Sequence, residues 1–277
     1  ESRGLGDVYK RQSEYRGKAF SRFGGINRIG WFFGPVIGGF TAGSIGIDIP
    51  FYIISVVALF TTILIFFTTE PTNEKLIQSN QTKPPTFKET ILDNKKSFTI
   101  GGSGHFIMQF LRQCRHVLIP IWAFSIGLGV EELGLIQSIS AAIDMTLFYP
   151  VGLIMDKYGR KWTSVPSIIL LSLGFIFMTY VDSFNGLMLV GLLLGFANGL
   201  GSGAMLTLGS DLSPKNQPGS FLGIWRLFGW SGNSAGGPIS GAIAQTVGNT
   251  ASALSISMIG GIGVIIFSFL LPETLKE

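Results

Sequence analysis

Apolar runs long enough to cross a lipid bilayer constrain this chain more than any other feature, because eight of them fill most of its 277 residues. A helix needs about 20 mostly apolar residues to cross roughly 30 Å of hydrocarbon. Such runs lie near 23–45, 51–68, 98–125, 133–155, 163–181, 187–208, 221–247 and 251–271. Those near 163–181 and 251–271 read most strongly, whereas 23–45, 98–125 and 221–247 carry arginine and much glycine. Charged residues make up only 13% of the chain, too few to cover a water-facing surface, where roughly 25% is usual. The predicted fold class is an all-α membrane protein, a polytopic transmembrane helix bundle.

The connections between the runs alternate in charge. One set carries Arg16, Lys18 and Arg22, then Lys75, Lys83, Lys88, Lys95 and Lys96, then Lys157, Arg160 and Lys161, then Lys215, and finally Lys276. The other set, around Asp48, Glu131 with Glu132, Asp182 and Asn249, has no lysine or arginine. Short basic loops stay on the cytoplasmic side, so both ends of this chain are predicted to be cytoplasmic in a multi-pass plasma-membrane protein. The same placement assigns the net charge of +4 to the lipid bilayer as partner and not to nucleic acid. The single cysteine, Cys114, excludes a disulfide within the chain and any cysteine-cluster metal site, and neither metal nor cofactor is expected.

Four segments are predicted. Residues 1–12 (ESRGLGDVYKRQ) read as a non-native tail resembling a translated sequencing adapter. Residues 13–69 hold two helices, 70–97 a polar cytoplasmic linker with Pro84-Pro85, and 98–277 six helices. The helical parts echo each other. Gly25-Ile26-Asn27-Arg28 followed by Gly34-Pro35-Val36-Ile37-Gly38 returns as Gly223-Ile224-Trp225-Arg226 followed by Gly237-Pro238-Ile239-Ser240-Gly241, with a gap five residues longer. Parallel six-helix repeats are a transporter architecture.

The most specific string runs Gly152-Leu153-Ile154-Met155-Asp156-Lys157-Tyr158-Gly159-Arg160-Lys161. Gly152 would permit close helix approach. Asp156 would accept hydrogen bonds or face a helix N-terminus. Gly159 would allow the tight turn, and Arg160 and Lys161 would hold the loop inside. This string resembles, at every defining position, the G-x-x-x-D-(R/K)-x-G-(R/K)-(R/K) loop of the major facilitator superfamily. Gly30-x-x-x-Gly34-Pro35-x-x-Gly38-Gly39 resembles the fifth-helix motif of that superfamily's drug/proton antiporters, with Ser21 standing where the longer pattern has glycine. Arg226, Gly237, Pro238 and Gly241 belong to its second copy. The resemblance implies helices five to twelve of a twelve-helix fold, with about four helices preceding this chain. It also implies that the basic loop serves conformational switching and not substrate choice.

The third run is unusually polar. His105, Gln109, Arg112 and His116 are spaced 4, 3 and 4 and share one helical face, with Arg115 beside them. Ionisable groups at membrane depth are costly and face a bundle interior or a wet cavity. Asp144 is the one acid of the next run, at a depth within roughly 5–10 Å of Arg112 at 1.5 Å per residue. These residues are expected to border a substrate or proton cavity, Arg112 and Asp144 as an ion pair or as alternating partners. Knitting two helices together is the competing role. Arg28 and Arg226 are expected to snorkel to the inner headgroups, and Asp211 to pair with Arg226.

The function expected is secondary active transport: proton-coupled efflux of small molecules by alternating access, in a monomer. The alternatives are proton-coupled uptake of a sugar or other metabolite, which the Pro272-Glu273-Thr274 ending suggests, and a non-transporting membrane receptor or scaffold of transporter ancestry. An enzyme is not expected, because HExxH, a Ser/His/Asp constellation and a Walker loop are all missing from the sequence. The chain is expected not to transport by itself, since half of the midplane site would be absent.

Overall fold

The computed structural model describes residues 30, 32–68, 86–214, 218–271 and 273–274. The tail over 1–12, Arg28, most of the linker and Lys215 lie outside them. The described secondary structure is helical throughout. In chain order, α1 covers residues 32–44 and α2 Ile49–Thr68, followed by short α3 (Phe87–Asp93) and α4 (Lys95–Ser97). A π-turn over Phe98–Gly102 leads into α5 (Ser103–Ser125), then α6 (Val130–Tyr158) and α7 (Lys161–Met178). Next come α8 (Phe184–Leu200), α9 (Ala204–Leu212), α10 (Pro218–Thr246) and α11 (Asn249–Ile265), the last continuing as a π-segment over Ile266–Leu270.

Among the described residues, five helical stretches are long and apolar enough to cross a membrane: Ile49–Thr68, Val130–Tyr158, Lys161–Met178, Phe184–Leu212 and Asn249–Leu270. Two further helices, α5 with 23 residues and α10 with 29, have the length without the apolarity. The reason is visible in the packing. α5 stands at the centre of the bundle and touches α6, α7, α8, α10 and α11, so its His105 and Arg115 are buried in protein and not turned to lipid. A lipid-exposed helix could not bear those groups. α2 is the opposite case, with an almost wholly apolar sequence of which no residue is buried.

The end of the linker is itself helical. Thr86 caps α3 reciprocally: its backbone N–H donates to Glu89 Oε2 at 2.8 Å, and the Glu89 N–H donates to Thr86 Oγ1 at 3.4 Å.

Close helix contacts run through glycine. On α10, Gly229, Gly232, Gly236 and Ser240 are buried at spacings of 3, 4 and 4, forming one stripe against α5. A Cβ on Gly232 would collide with the Phe106 carbonyl, and one on Gly236 would lie 2.7 Å from the Phe110 carbonyl. The seam therefore lies beside the echoed motif residues: Gly237 makes only ordinary contact, and Gly241 faces open space. The first copy is used in the same partial way. A Cβ on Gly39 would stand 2.8 Å from Val130 O and 3.0 Å from Gly134 Cα, and one on Gly134 would meet the Pro35 carbonyl at 2.6 Å. Gly30, Gly34 and Gly38 have nothing among the described residues within 4 Å. The same holds for Gly152, so close helix approach at that position is not seen among them.

The sixth run is long and apolar enough to cross a membrane, as expected, but its helix is interrupted. α8 stops at Leu200, Gly201-Ser202-Gly203 form a turn, and α9 restarts at Ala204. Gly203 has φ +78°, the left-handed region that other L-residues enter at a cost of roughly 1–2 kcal/mol. Hydropathy reads through the interruption because glycine is neutral on that scale. The string Gly199-Leu200-Gly201-Ser202-Gly203 was the signal for it.

Candidate functional site at the helix break

The interrupted span brings three polar side chains together inside the bundle. Arg112 reaches from α5, its Nη1 donating to Gln109 Oε1 at 3.1 Å and its Nη2 to the backbone carbonyl of Asn198 at 3.5 Å. The Asn198 amide donates in turn to Asp144 Oδ2 on α6 at 2.9 Å. Asn198 thus links Arg112 and Asp144, the two residues that depth alone matched in the sequence. Gly201 makes room for this. A Cβ there would stand 2.8 Å from Arg112 Nη2 and 2.6 Å from Ser167 Oγ. Ser167 Oγ, from α7, donates to the Ala197 carbonyl at 2.6 Å, so the last carbonyls of α8 are met by side chains as the helix unwinds.

Arg115 is buried between α5, α6 and α8. Its Nη1 donates to Ser140 Oγ at 3.3 Å and to the Leu194 carbonyl at 3.4 Å, and its Nη2 lies 3.4 Å from His116 Nε2. His116 also faces Gln137 of α6. Asp144 lies within electrostatic reach of Arg115, and its Oδ1 is buried without a hydrogen-bond partner. The two helices that carry Ser140 and Leu194 touch through bare backbone, since a Cβ on Gly195 would collide with the Ser140 carbonyl.

His105 stands apart from this group. It is 7% exposed, stacks on Trp225 of α10 at 5.0 Å between ring centroids, and its Nδ1 lies 3.1 Å from the Trp225 carbonyl. Phe221 and Phe98 continue the stack, and Trp225 Nε1 donates to the Met205 carbonyl of α9 at 2.9 Å. The polar face of α5 is thereby divided. Gln109, Arg112 and His116 meet α6 and α8, whereas His105 joins an aromatic column that ties α10 to α9. Arg226, one residue along from Trp225, is exposed.

The basic loop is fastened at the far end of α6. Gly159 turns the chain with φ +103°, and the Arg160 Nε donates to Asp211 Oδ2 at 2.8 Å. Asp211 therefore pairs with Arg160 and not with Arg226 as expected, because the α6–α7 turn lies against the end of α9. Thr274 Oγ1 donates to the same Asp211 oxygen at 2.7 Å. Glu273 accepts the backbone N–H groups of Arg160 at 3.0 Å and Lys161 at 3.1 Å, capping the N-terminus of α7 from the other end of the chain. The Lys161 Nζ donates to the Ser268 carbonyl at 3.0 Å. Lys157 lies 5.1 Å from the Tyr158 ring, and Asp156 is exposed. Losing an N-cap acceptor costs about 0.5–2 kcal/mol. Glu273→Ala is accordingly expected to lower the melting temperature of the detergent-solubilised protein, and a melting curve coincident with the parent would rule out the cap.

These features define a polytopic α-helical membrane protein with a polar centre at a broken helix. The sequence profile of the Major Facilitator Superfamily matches residues 5–111 and 101–277, and the chain belongs to that family. It is 29% identical over 157 residues to the multi-drug resistance efflux pump PmrA of Streptococcus pneumoniae, in each of two strains. The matched stretch is 55% of this chain and 37% of the pump, so this chain spans well under two thirds of the relatives it matches. Among solved structures, a POT family transporter in complex with a thioalcohol-conjugated peptide has a TM-score of 0.51. A POT family transporter in complex with 5-aminolevulinic acid has a TM-score of 0.50. Both are 14% identical and cover 80% of this chain and 52% of the transporter, a likeness of fold alone.

Proposed function

We propose that the whole protein is a secondary active transporter that expels small molecules in exchange for protons by alternating access. The observation that carries this reading is the broken span, with Arg112, Asn198 and Asp144 joined across it. Ionisable residues and unwound helix ends at membrane depth are features of substrate and ion sites, and a helix that merely packs needs neither. Gln109, Arg112, Arg115, His116 and Asp144 border the site in this reading, with His105 at its edge. Residues 98–277 form one six-helix half, 32–68 belong to the last two helices of the other, and the Gly152-to-Lys161 loop with its Asp211 and Glu273 partners governs the rocking of one half on the other. Both ends of the chain face the cytoplasm of a plasma-membrane monomer. Efflux is supported by the likeness to the pneumococcal efflux pump, and proton coupling by the resemblance of the Gly30-to-Gly39 string to the motif of drug/proton antiporters.

The test uses the full-length gene product in proteoliposomes with an imposed pH gradient, following rhodamine 110 and its methyl ester, rhodamine 123. Gradient-driven movement of at least one dye is expected, falling tenfold or more in Arg112→Ala and in Asp144→Asn at equal reconstitution. Movement unchanged by both substitutions would assign Arg112 and Asp144 to helix packing.

A further inference from the structure

We infer that Asp144 carries the exchanged proton in this half of the transporter, and that Asn198 passes its charge state to the helix break. This rests on the exchange reading above and names the proton-binding group of that site. Placement comes first. Asp144 is the midpoint of the 29-residue α6, roughly 20 Å from either end at 1.5 Å per residue. The other described acids of residues 98–277 stand at helix ends. Glu131, Glu132 and Asp182 lie on the side without lysine or arginine, and Asp156, Asp211 and Glu273 on the basic side. The histidines fit the task less well. His105 is held in the aromatic column with its Nδ1 at the Trp225 carbonyl, and a proton on His116 would set a second positive charge beside Arg115.

The two carboxyl oxygens of Asp144 are not equivalent. Oδ2 accepts the Asn198 amide at 2.9 Å, whereas Oδ1 is buried with no hydrogen-bond partner among the described residues. A buried acceptor without a donor is costly, and Oδ1 can take a proton without breaking an existing bond. The charged groups that face Asp144 come from α5: Arg115, within electrostatic reach, and Arg112, bonded to the same Asn198, with His116 beside them. Neither α8 nor residues 32–44 hold an ionisable side chain, and α7 holds only Lys161, at its basic end. In each cycle one proton from the outer phase bonds to Oδ1, and the carboxylate becomes neutral. The O–H bond then breaks toward the cytoplasm, and the negative charge returns.

Asn198 is placed to register that change. A Cβ on the adjacent Gly199 would stand 3.2 Å from Asp144 Cα, so α6 and α8 meet closely at this point. A hydrogen bond to an ionised acceptor is about twice as strong as one to a neutral acceptor. Protonation therefore loosens the Asn198 link in the last turn of α8, just before the Gly201-Ser202-Gly203 turn.

The test uses the full-length protein in proteoliposomes and whichever of rhodamine 110 and rhodamine 123 the parent moves faster. Asparagine has the shape of the protonated acid and no proton to give up. Asp144→Asn is therefore expected to release preloaded dye at equal pH within about twofold of the parent, while gradient-driven movement falls tenfold or more. Asn198→Ala is expected to keep gradient-driven movement with its pH profile displaced. Full gradient-driven movement in Asp144→Asn would overturn the inference and leave the transport reading intact. Loss of equal-pH release as well, in folded protein, would give Asp144 to the substrate and overturn it too. An unchanged profile in Asn198→Ala would overturn the part given to Asn198. If Asp144→Asn does not fold, Asp144→Glu decides: a displaced pH profile is expected, and an unchanged one would overturn the inference. Movement of neither dye by correctly folded parent would overturn the transport reading and the inference with it.

Discussion

Gly232→Val is expected to destabilise the helix bundle by about 3 kcal/mol, enough to remove most of the folded protein from a detergent extract. Gly232 sits midway along the seam between α10 and α5, where even a Cβ would collide with the Phe106 carbonyl. That obstacle is backbone, which cannot rotate away as a side chain would. Without a hydrophobic force between helices in lipid, association depends on such close approach. The opposing face of the same helix supplies the control. Gly241 has nothing among the described residues within 4 Å, so Gly241→Val is expected to stay within about 0.5 kcal/mol of the parent. Fluorescence-detected size exclusion after graded heating measures both. Equal losses for the two variants would mean that the seam does not hold α10 in place.

The second large effect concerns function without loss of fold. Arg115 is 6% exposed, and it donates to two neutral groups, Ser140 Oγ and the Leu194 carbonyl. Replacing a whole buried ion pair with well-packed apolar side chains is often neutral or stabilising, whereas removing one partner and stranding the other costs about 3–5 kcal/mol. Asp144 keeps Asn198 and the nearby Arg112 when Arg115 is removed, so the stranding cost should not arise. Arg115→Leu is expected to melt within a few degrees of the parent and to lose gradient-driven transport tenfold or more. A strongly destabilised Arg115→Leu would instead make Arg115 a structural strut. Retained transport with normal stability would take it out of the site altogether.

Much of this architecture was legible in the sequence because membrane insertion leaves few options. Apolar runs gave the all-helical, membrane-spanning character, and the Gly152-to-Lys161 string marked the loop that the structure fastens at Arg160 and Lys161. Residues that act through distant partners were not legible. Nothing local to Glu273 says that it caps α7, more than a hundred positions earlier in the chain, and nothing near Asp211 distinguishes Arg160 from Arg226 as its partner. Both contacts follow from how helix ends meet in three dimensions. The break at Gly201-Ser202-Gly203 was hidden for another reason: a hydropathy window averages over it, although the glycine string was in plain view. The α10 seam was likewise readable from the spacing of Gly229, Gly232, Gly236 and Ser240, one helical face away from the glycines the repeated motif draws attention to. Depth placed Arg112 and Asp144 near one another, but Asn198, which joins them in the structure, looks like any polar residue in an apolar run.

In the proposed transporter the polar centre at the helix break belongs to a transport path that opens during a cycle. Ser202→Cys in the full-length protein tests it most directly, because the change is nearly isosteric and Ser202 is buried at the break in this conformation. Cys114, the single cysteine of this chain, is buried beside the Gly236 carbonyl and serves as the internal control once any cysteine outside this chain has been replaced. The thiol introduced by Ser202→Cys is expected to react with a membrane-impermeant maleimide in sealed vesicles, at a rate that changes when the pH gradient is reversed, while Cys114 stays unreactive. If position 202 reacts only after denaturation, whichever way the gradient runs, the break is a closed structural joint and the transport path lies elsewhere.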